Sequence, residues 1–228
     1  GNYEINKNSN FLKTIDKKIN VKIISPNFEL EYGLNIDQIE NKLKKIIRYS
    51  NPSLNKKTLF IWPEGVFSGY HYNEILIFKE LIKKNFSKKH HIIFGVNKLE
   101  EKTGLFYNSL LLVNNEFEVI QQYNKQKLVP FGEFLPFENL LNKFGFKKIT
   151  EGHGSFQKGE DKINLKIDQL NILPLICYEV IFTKLIQEAN INTNLIVNIS
   201  EDAWFGNTIG PEQHYVKSIF RAIENGTF

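Results

Sequence analysis

The first hundred residues alternate short apolar runs with segments whose apolar residues recur at helical spacing. Buried strands are predicted for the apolar runs at residues 21–24, 58–62 and 92–96. A helix is predicted to follow Asn35, which forms a capping-box pattern with Gln38, and a second helix is predicted over residues 73–86. This alternation of strands and helices favours a layered α/β fold.

The pattern then changes to strands joined by short turns. Residues 105–113 and 117–123 flank the turn Asn114-Asn115-Glu116 and predict a hairpin. Residues 124–159 form a long irregular stretch of the kind that is usually functional. After it we expect paired strands at 163–167 and 170–176, a helix at 181–189, a strand at 195–199 and a last helix at 213–225. Residues 1–19 are polar and predict a tether, followed by one domain over residues 20–228.

Composition adds limits on class and partners. The 228 residues are 42% hydrophobic and 24% charged, which is typical of a globular α/β domain. No apolar run approaches the roughly 18 to 20 residues that span a membrane. The net charge of +4 comes from scattered lysines and does not favour nucleic-acid binding. Attraction to an anionic surface stays open, because residues 1–60 hold 11 Lys and Arg against 6 Asp and Glu.

Cys177 is the only cysteine, and it directly follows the apolar run at 170–176. A lone cysteine has no partner for an internal disulfide, so it is either an inert core residue or a nucleophile. Candidate bases include five histidines, none of which lies in a recognisable protease-like local pattern. They are His71, His90, His91, His153 and His214.

Two other charged residues also stand where a strand ends. Glu64 follows the strand at 58–62 and is either an ordinary turn residue or a base whose pKa burial beside Trp62 raises. Lys125 and Lys127 follow the second hairpin strand, where a solvated lysine is ordinary. Next to a thiol, a lysine would lower the thiol pKa and stabilise an oxyanion.

Four motifs in order carry a family resemblance. They are Trp62-Pro63-Glu64, then Tyr123-Asn124-Lys125 leading into residues 128–133, then Ile176-Cys177-Tyr178-Glu179, then residues 202–206 with Gly210-Pro211, Gln213-His214 and residues 221–224. Over residues 20–228 the chain resembles the nitrilase superfamily of carbon-nitrogen hydrolases, and within it most resembles the apolipoprotein N-acyltransferases. The resemblance implies a catalytic triad of Glu64, Lys125 and Cys177, and selects Lys125 over Lys127.

The resemblance also implies a fold and a reaction. The fold would be an α/β four-layer α-β-β-α sandwich, expected here to be truncated at its C-terminus. The enzyme would move a phospholipid acyl chain through a Cys177 thioester to the α-amino group of the diacylglyceryl-cysteine of an apolipoprotein, with no cofactor and no metal. Its partners would be the phospholipid, the apolipoprotein and the membrane. The domain would lie on the periplasmic side of the bacterial inner membrane, with its membrane helices outside this sequence.

Further site residues are expected around the triad. Glu133 and Glu179 would position Lys125 and tune the charge of the site, and Tyr178 would belong to it as well. Substrate-binding candidates are Trp204, Phe205, Phe134 and His214, and apolar arms are expected around Trp204 and over residues 131–146, which include Leu135, Phe137, Leu140 and Leu141. Two departures from the family pattern concern the substrate site, because Glu201 stands where Asn is more common and Thr227 where Arg is common.

Two alternative functions remain at this stage. A soluble nitrilase-type amidase would use the same triad with water as the second nucleophile. A lipoprotein-binding module would keep the fold without turnover.

Overall fold

The computed structural model describes residues 19–29, 31, 33–136, 155–160, 164–187 and 192–228, with only the backbone of Gln187. Its larger sheet follows chain order, with β1, β2 and β3 parallel and β4 and β5 each antiparallel to the strand before. The bounds are β1 Asn20–Ile23, β2 Thr58–Ile61, β3 His90–Glu100, β4 Leu105–Val113 and β5 Val119–Asn124. The smaller sheet has the order β6-β7-β8, with β6 Leu165–Ile167 antiparallel to β7 Leu170–Ile176, and β7 parallel to β8 Leu195–Ile199.

The helices begin and end near the predicted positions with two exceptions. They are α1 Ile36–Ser50, α2 Tyr72–Ile75, α3 Lys79–Asn85, α4 Thr183–Gln187 and α5 Gly210–Asn225, with 3₁₀ turns at Glu64–Phe67, Leu76–Phe78, Cys177–Ile181 and Asp202–Phe205. The capping box of α1 is confirmed, since the Gln38 N–H donates to Asn35 Oδ1 at 3.0 Å and the Asn35 N–H donates to Gln38 Oε1 at 2.9 Å.

The first exception is the helix predicted over 73–86, which is divided into α2 and α3 by a 3₁₀ turn. Ile75 and Phe78 are both buried, and the tighter turn keeps residues three apart on one face. The second exception is the helix predicted over 181–189. The described helix in this region is the shorter α4, and it follows a 3₁₀ turn that begins at Cys177. Residues 188–191 lie outside the described part of the chain.

Helix α5 begins before its predicted start, with Pro211 in its first turn, where proline fits without losing a needed N–H.

Side chains alternate between two cores, which establishes the layers. From β2, Phe60 packs into a core with the first three helices, whereas Leu59 and Ile61 pack into a second core with the smaller sheet. Within the smaller sheet, Ile172 faces the second core, and Leu173 packs with the segment around α4 on the outer face. The predicted four-layer α-β-β-α sandwich is therefore confirmed, because both sheets are covered on both faces.

Some predicted features fall on residues that are not described. The tether at 1–19 is described only at Ile19, and Phe137, Leu140 and Leu141 of the predicted apolar arm lie outside the described ranges. Among the helices of the described residues, none is long and apolar enough to cross a bilayer.

Candidate active site

Polar side chains meet where four strands end. Glu64 follows β2, Lys125 follows β5, Cys177 follows β7, and Ser200 and Asp202 follow β8. The structure brings together the three residues that the resemblance singled out, since Lys125 interacts electrostatically with both Glu64 and Cys177. The site thus draws on both sheets.

Lys125 is deeply buried in the site, with its side chain 2% exposed. Its Nζ lies 2.9 Å from Oε1 of Glu133 and 3.9 Å from Oε1 of Glu64. Asn108 Nδ2 donates to the same two oxygens, at 2.8 Å for Glu64 and 2.7 Å for Glu133. Two carboxylates therefore share one buried ammonium and one amide, which compensates charges that would be costly to bury alone.

Burial and charge act against each other in this group. Burial raises the pKa of Glu64, with Lys125 acting in the opposite direction. Burial disfavours the Lys125 ammonium, but the charges of Glu64 and Glu133 outweigh burial and raise the pKa of Lys125. At neutral pH the lysine therefore stays charged, and Glu64 is a better proton acceptor than a solvated carboxylate.

The pKa of the Cys177 thiol is higher than the sequence led us to expect from a neighbouring lysine. Lys125 does act to lower the pKa of Cys177, but burial first and Glu64 second outweigh it and raise this pKa to about 12. A resting thiol must then lose its proton to a base as it attacks, because the thiolate is the nucleophile.

Cys177 occupies a strained backbone position. Its φ of 52° is left-handed, which costs an L-residue roughly 1 to 2 kcal/mol. The fully buried Glu179 supports this turn by accepting the Ile176 N–H at 2.9 Å. Glu179 also accepts the N–H groups of Gln126 at 2.6 Å and Lys127 at 2.9 Å, and the hydroxyl of Tyr123 at 2.9 Å. It thereby joins the end of β5, and with it Lys125, to the turn that holds Cys177.

Two glycines allow the backbones that carry Glu64 and Lys125 to pack closely. A side chain at Gly95 on β3 would meet the Cα of Glu64 at 2.7 Å. A side chain at Gly159 would meet the carbonyl oxygen of Asn124 at 2.2 Å, and the Gly159 N–H donates to the Lys125 carbonyl at 2.8 Å. Any larger residue at either position would displace a site residue.

His214 bonds on both ring nitrogens within the protein. Its side chain is 5% exposed, with Nδ1 at 2.8 Å from Asp202 Oδ1 and Nε2 at 2.9 Å from the carbonyl oxygen of Cys177. The Ser200 hydroxyl donates to the same Asp202 oxygen at 2.5 Å and also hydrogen bonds with the Cys177 side chain. His214 therefore faces Cys177 rather than an open surface.

The aromatic substrate-binding candidates differ in exposure. Trp204 is 45% exposed and Tyr178 is 42% exposed, with the Tyr178 ring edge-on to Phe182. Phe205 is partly buried against the His214 ring, and Phe134 is partly buried in a turn where its carbonyl accepts the Phe131 N–H at 2.8 Å. Trp204 and Tyr178 are thus the more accessible of these rings.

Sequence reasoning missed three side chains of the site, namely Asn108, Ser200 and Asp202. Asn108 and Ser109 interrupt the otherwise apolar or aromatic β4 near its middle, and a buried polar pair in such a strand is the signal that could have identified Asn108. Glu201, which departs from the family pattern, also contacts the site. Its backbone N–H donates to Glu64 Oε2 at 3.2 Å, and its carboxylate covers Gly65, so that a side chain there would meet Oε2 at 1.5 Å.

The described residues contain no group of three or more His, Cys, Asp or Glu side chains placed to hold a metal ion. The chemistry available here is that of a thiol, a buried carboxylate base and a buried ammonium. Such a set can transfer an acyl group through a thioester.

Comparison with known proteins places the chain in a family. Residues 32–228 match the family described as carbon-nitrogen hydrolase. Similar curated proteins include two that are each called apolipoprotein N-acyltransferase. The protein of Rhodopseudomonas palustris is 31% identical over 91% of this chain and 41% of its own length. That of Wigglesworthia glossinidia brevipalpis is 31% identical over 92% of this chain and 43% of its own length. The chain therefore spans less than half of the relatives it matches.

Solved structures agree on the fold. A carbon-nitrogen hydrolase from Helicobacter pylori has a TM-score of 0.61 at 15% identity, covering 92% of this chain and 70% of the other. Nit3 of Saccharomyces cerevisiae, described as a member of branch 10 of the nitrilase superfamily, has a TM-score of 0.60 at 16% identity, covering 92% of this chain and 73% of the other. An amidase from Nesterenkonia sp. has a TM-score of 0.54 at 17% identity, covering 92% and 73%.

Proposed function

Because this chain belongs to the carbon-nitrogen hydrolase family, we propose that it is the catalytic part of an apolipoprotein N-acyltransferase with a Glu64, Lys125 and Cys177 triad. It moves an acyl chain from a phospholipid to the α-amino group of the diacylglyceryl-cysteine of an apolipoprotein. The names of the two relatives support the choice of these substrates. The observation that carries the chemistry is the buried Lys125, which interacts with Glu64 and Cys177 together.

In the first step, Glu64 takes the proton of Cys177 while the sulfur attacks the ester carbonyl of the phospholipid. The tetrahedral oxyanion is stabilised by the Lys125 ammonium and the backbone N–H of Tyr178, donors typically worth about 3 kcal/mol each. Collapse breaks the ester C–O bond, and the leaving lysophospholipid oxygen takes the proton back from Glu64. The product is a thioester on Cys177.

In the second step, the acceptor amine attacks this thioester. Glu64 takes a proton from the attacking nitrogen, and the C–S bond breaks as the amide forms. Cys177 recovers its proton from Glu64, which returns the site to its starting state. No redox group or metal enters the balance of either step.

The supporting roles follow from the contacts. Glu133 keeps Lys125 charged and in place at 2.9 Å, and Glu179 holds the backbones on either side of the site. The exposed Trp204, its sequence neighbour Phe205, and Phe134 would contact lipid, and Tyr178 would line the entry to Cys177. Residues 20–228 would form the catalytic domain, residues 1–19 a tether, and the domain would lie at the periplasmic face of the inner membrane.

The test uses the full-length protein in phospholipid-containing detergent. Intact mass measurement should find one acyl group, located on the peptide that contains Cys177, and adding a diacylglyceryl-cysteine lipopeptide should remove it as an amide. Cys177→Ala should show no adduct, and Glu64→Gln should form it far more slowly than the wild type. If folded wild-type protein never acquires the acyl group, the covalent mechanism is rejected in favour of a binding module. If the protein instead hydrolyses small amides and leaves the lipopeptide unmodified, it is an amidase.

A further inference from the structure

The carbonyl group of Cys177 is held by a residue far away in the chain. Cys177 begins its turn with a φ of 52°, so its peptide groups need bonds that offset the strain. The carbonyl oxygen accepts a hydrogen bond from His214 Nε2 at 2.9 Å, and His214 lies on α5, 37 residues later. The His214 ring therefore links helix α5 to the backbone of Cys177.

The partners of that ring determine its protonation. Nε2 faces a carbonyl oxygen, which only accepts hydrogen bonds, and Nδ1 faces Asp202 Oδ1 at 2.8 Å. Asp202 also accepts the Ser200 hydroxyl at 2.5 Å, and these bonds lower the pKa of Asp202 despite its burial. Since both partners are acceptors, both ring nitrogens must carry hydrogen for both bonds to form, and His214 must be an imidazolium.

Ser200 closes the arrangement into a ring of contacts around the nucleophile. Its hydroxyl hydrogen bonds with the side chain of Cys177 and donates to Asp202, which binds His214, which in turn binds the Cys177 carbonyl. Both the sulfur and the backbone of Cys177 thus depend on one carboxylate and one imidazole.

We propose that protonated His214, held by Asp202, is a positioning residue that fixes the backbone of Cys177, so that loss of the His214 proton slows reaction at the thiol. The inference rests on the proposed role of Cys177 as acyl carrier. It assigns His214 to the nucleophile and not to substrate binding. A neutral ring can donate only one of the two bonds, so deprotonation must release either the carbonyl or Asp202.

The surrounding charges favour the imidazolium. Asp202 comes from the turn after β8 and Glu64 from the turn after β2, and both act to raise the pKa of His214. The turn after β7 also contains Tyr178 and Glu179, and from it Cys177 presents its carbonyl to the ring, while Lys184 of α4 is exposed to solvent. On α5, Glu212 and Lys217 are exposed to solvent. Burial opposes the charge, but the hydrogen bond with Asp202 outweighs it and raises the pKa of His214.

The experiment measures two rates across pH in the full-length protein. One is acyl-enzyme formation from phospholipid, and the other is alkylation of Cys177 by iodoacetamide, read from the mass of its peptide. His214→Gln, which keeps a donor but not the charge, should slow acyl-enzyme formation by about 100-fold, the loss typical of a misplaced reacting group. Asp202→Asn should move the alkaline decline of the wild-type rate to lower pH, because it removes the charge that stabilises the imidazolium.

The matched control is Ser218→Ala. The Ser218 hydroxyl donates to the His214 carbonyl at 3.4 Å but does not bond to the ring, so both rates and their pH profiles should stay as in the wild type. Wild-type acylation speed in His214→Gln would overturn the inference, as would an Asp202→Asn profile that is lowered equally at every pH. If wild-type protein forms no acyl-enzyme, the proposed function fails instead, and the alkylation profiles still decide whether His214 positions Cys177.

Discussion

Lys125 makes its shorter ion pair with Glu133, at 2.9 Å, and not with Glu64, at 3.9 Å. Glu133 can therefore neutralise the ammonium while Glu64 keeps the freedom to exchange a proton. Asn108 donates to both carboxylates, which offsets the repulsion between their charges. This division separates the carboxylate that holds the lysine from Glu64, the carboxylate that we propose as the base.

Glu133→Gln should therefore destabilise the fold as well as the site. Removing one partner of a buried pair leaves a buried charge uncompensated and typically costs about 3 kcal/mol. Urea unfolding of the 228-residue chain measures this loss. The control is Glu116→Gln, which removes a 2.9 Å pair with Lys83 on the surface and should change stability little. Equal effects of the two substitutions would contradict the assigned importance of burial.

Glu64→Gln should remove the pH dependence of acylation on the acid side. In the wild type, the rate should fall as pH drops through the pKa of Glu64, which burial raises above its usual range. A neutral amide accepts no proton, so we expect the rate to fall by about 10² to 10⁴. Mass measurements of acyl-enzyme in samples stopped at successive times give the rate of each protein and its dependence on pH. Glu80→Gln, on the exposed side of α3, should behave as wild type, and an unchanged acid limb in Glu64→Gln would exclude Glu64 as the base.

Substitutions of Cys177 should separate activity from backbone strain. Cys177→Ala and Cys177→Gly should both be inactive, but the glycine variant should be the more stable by up to about 1 kcal/mol, because its backbone accepts a φ of 52° without strain. Thermal unfolding of the two variants provides the comparison. An alanine variant as stable as the glycine variant would show that the turn is not strained.

Glu201→Gln should stabilise the protein at neutral pH. Burial first and the Glu64 carboxylate second raise the pKa of Glu201 from its ordinary value of 4.5 to about 7. A carboxyl whose pKa is raised on folding binds its proton more tightly in the folded state, so the wild type loses stability as pH rises from about 4.5 to about 7. The melting temperature of the variant relative to wild type should rise between pH 5 and pH 8. A constant difference across that range would contradict the prediction, and Glu212→Gln on the exposed face of α5 is the control.

Trp204 should be shielded when the protein meets phospholipid. The chain has two tryptophans, and Trp62 is 0% exposed whereas Trp204 is 45% exposed. Acrylamide quenching of tryptophan fluorescence in the 228-residue chain should therefore decrease when phospholipid micelles are added. Trp204→Phe should remove this change, because Trp62 is already inaccessible. Quenching that stays the same in the wild type would exclude Trp204 from lipid contact.

The sequence by itself determined the layers and the order of the motifs. In β2, Leu59, Phe60 and Ile61 form an apolar run that indicates a strand buried on both faces, and such a run is local, so it can be recognised without a structure. The capping box at Asn35 and the glutamate, lysine and cysteine at strand ends are local features in the same sense. Breaks within helices were harder to predict. The 3₁₀ turn at Leu76–Phe78 depends on the packing of Phe78 in the core and not on local helix propensity.

Only the tertiary structure decided which groups share a charge or a hydrogen bond. Asn108 lies 44 residues from Glu64 and His214 lies 37 residues from Cys177, and nothing in local spacing fixes such contacts. The raised pKa of the Cys177 thiol is also a tertiary property, because burial outweighs the Lys125 charge that alone would lower it. Periodicity follows from the geometry of one strand or helix, whereas desolvation and pairing depend on every element that closes over the site.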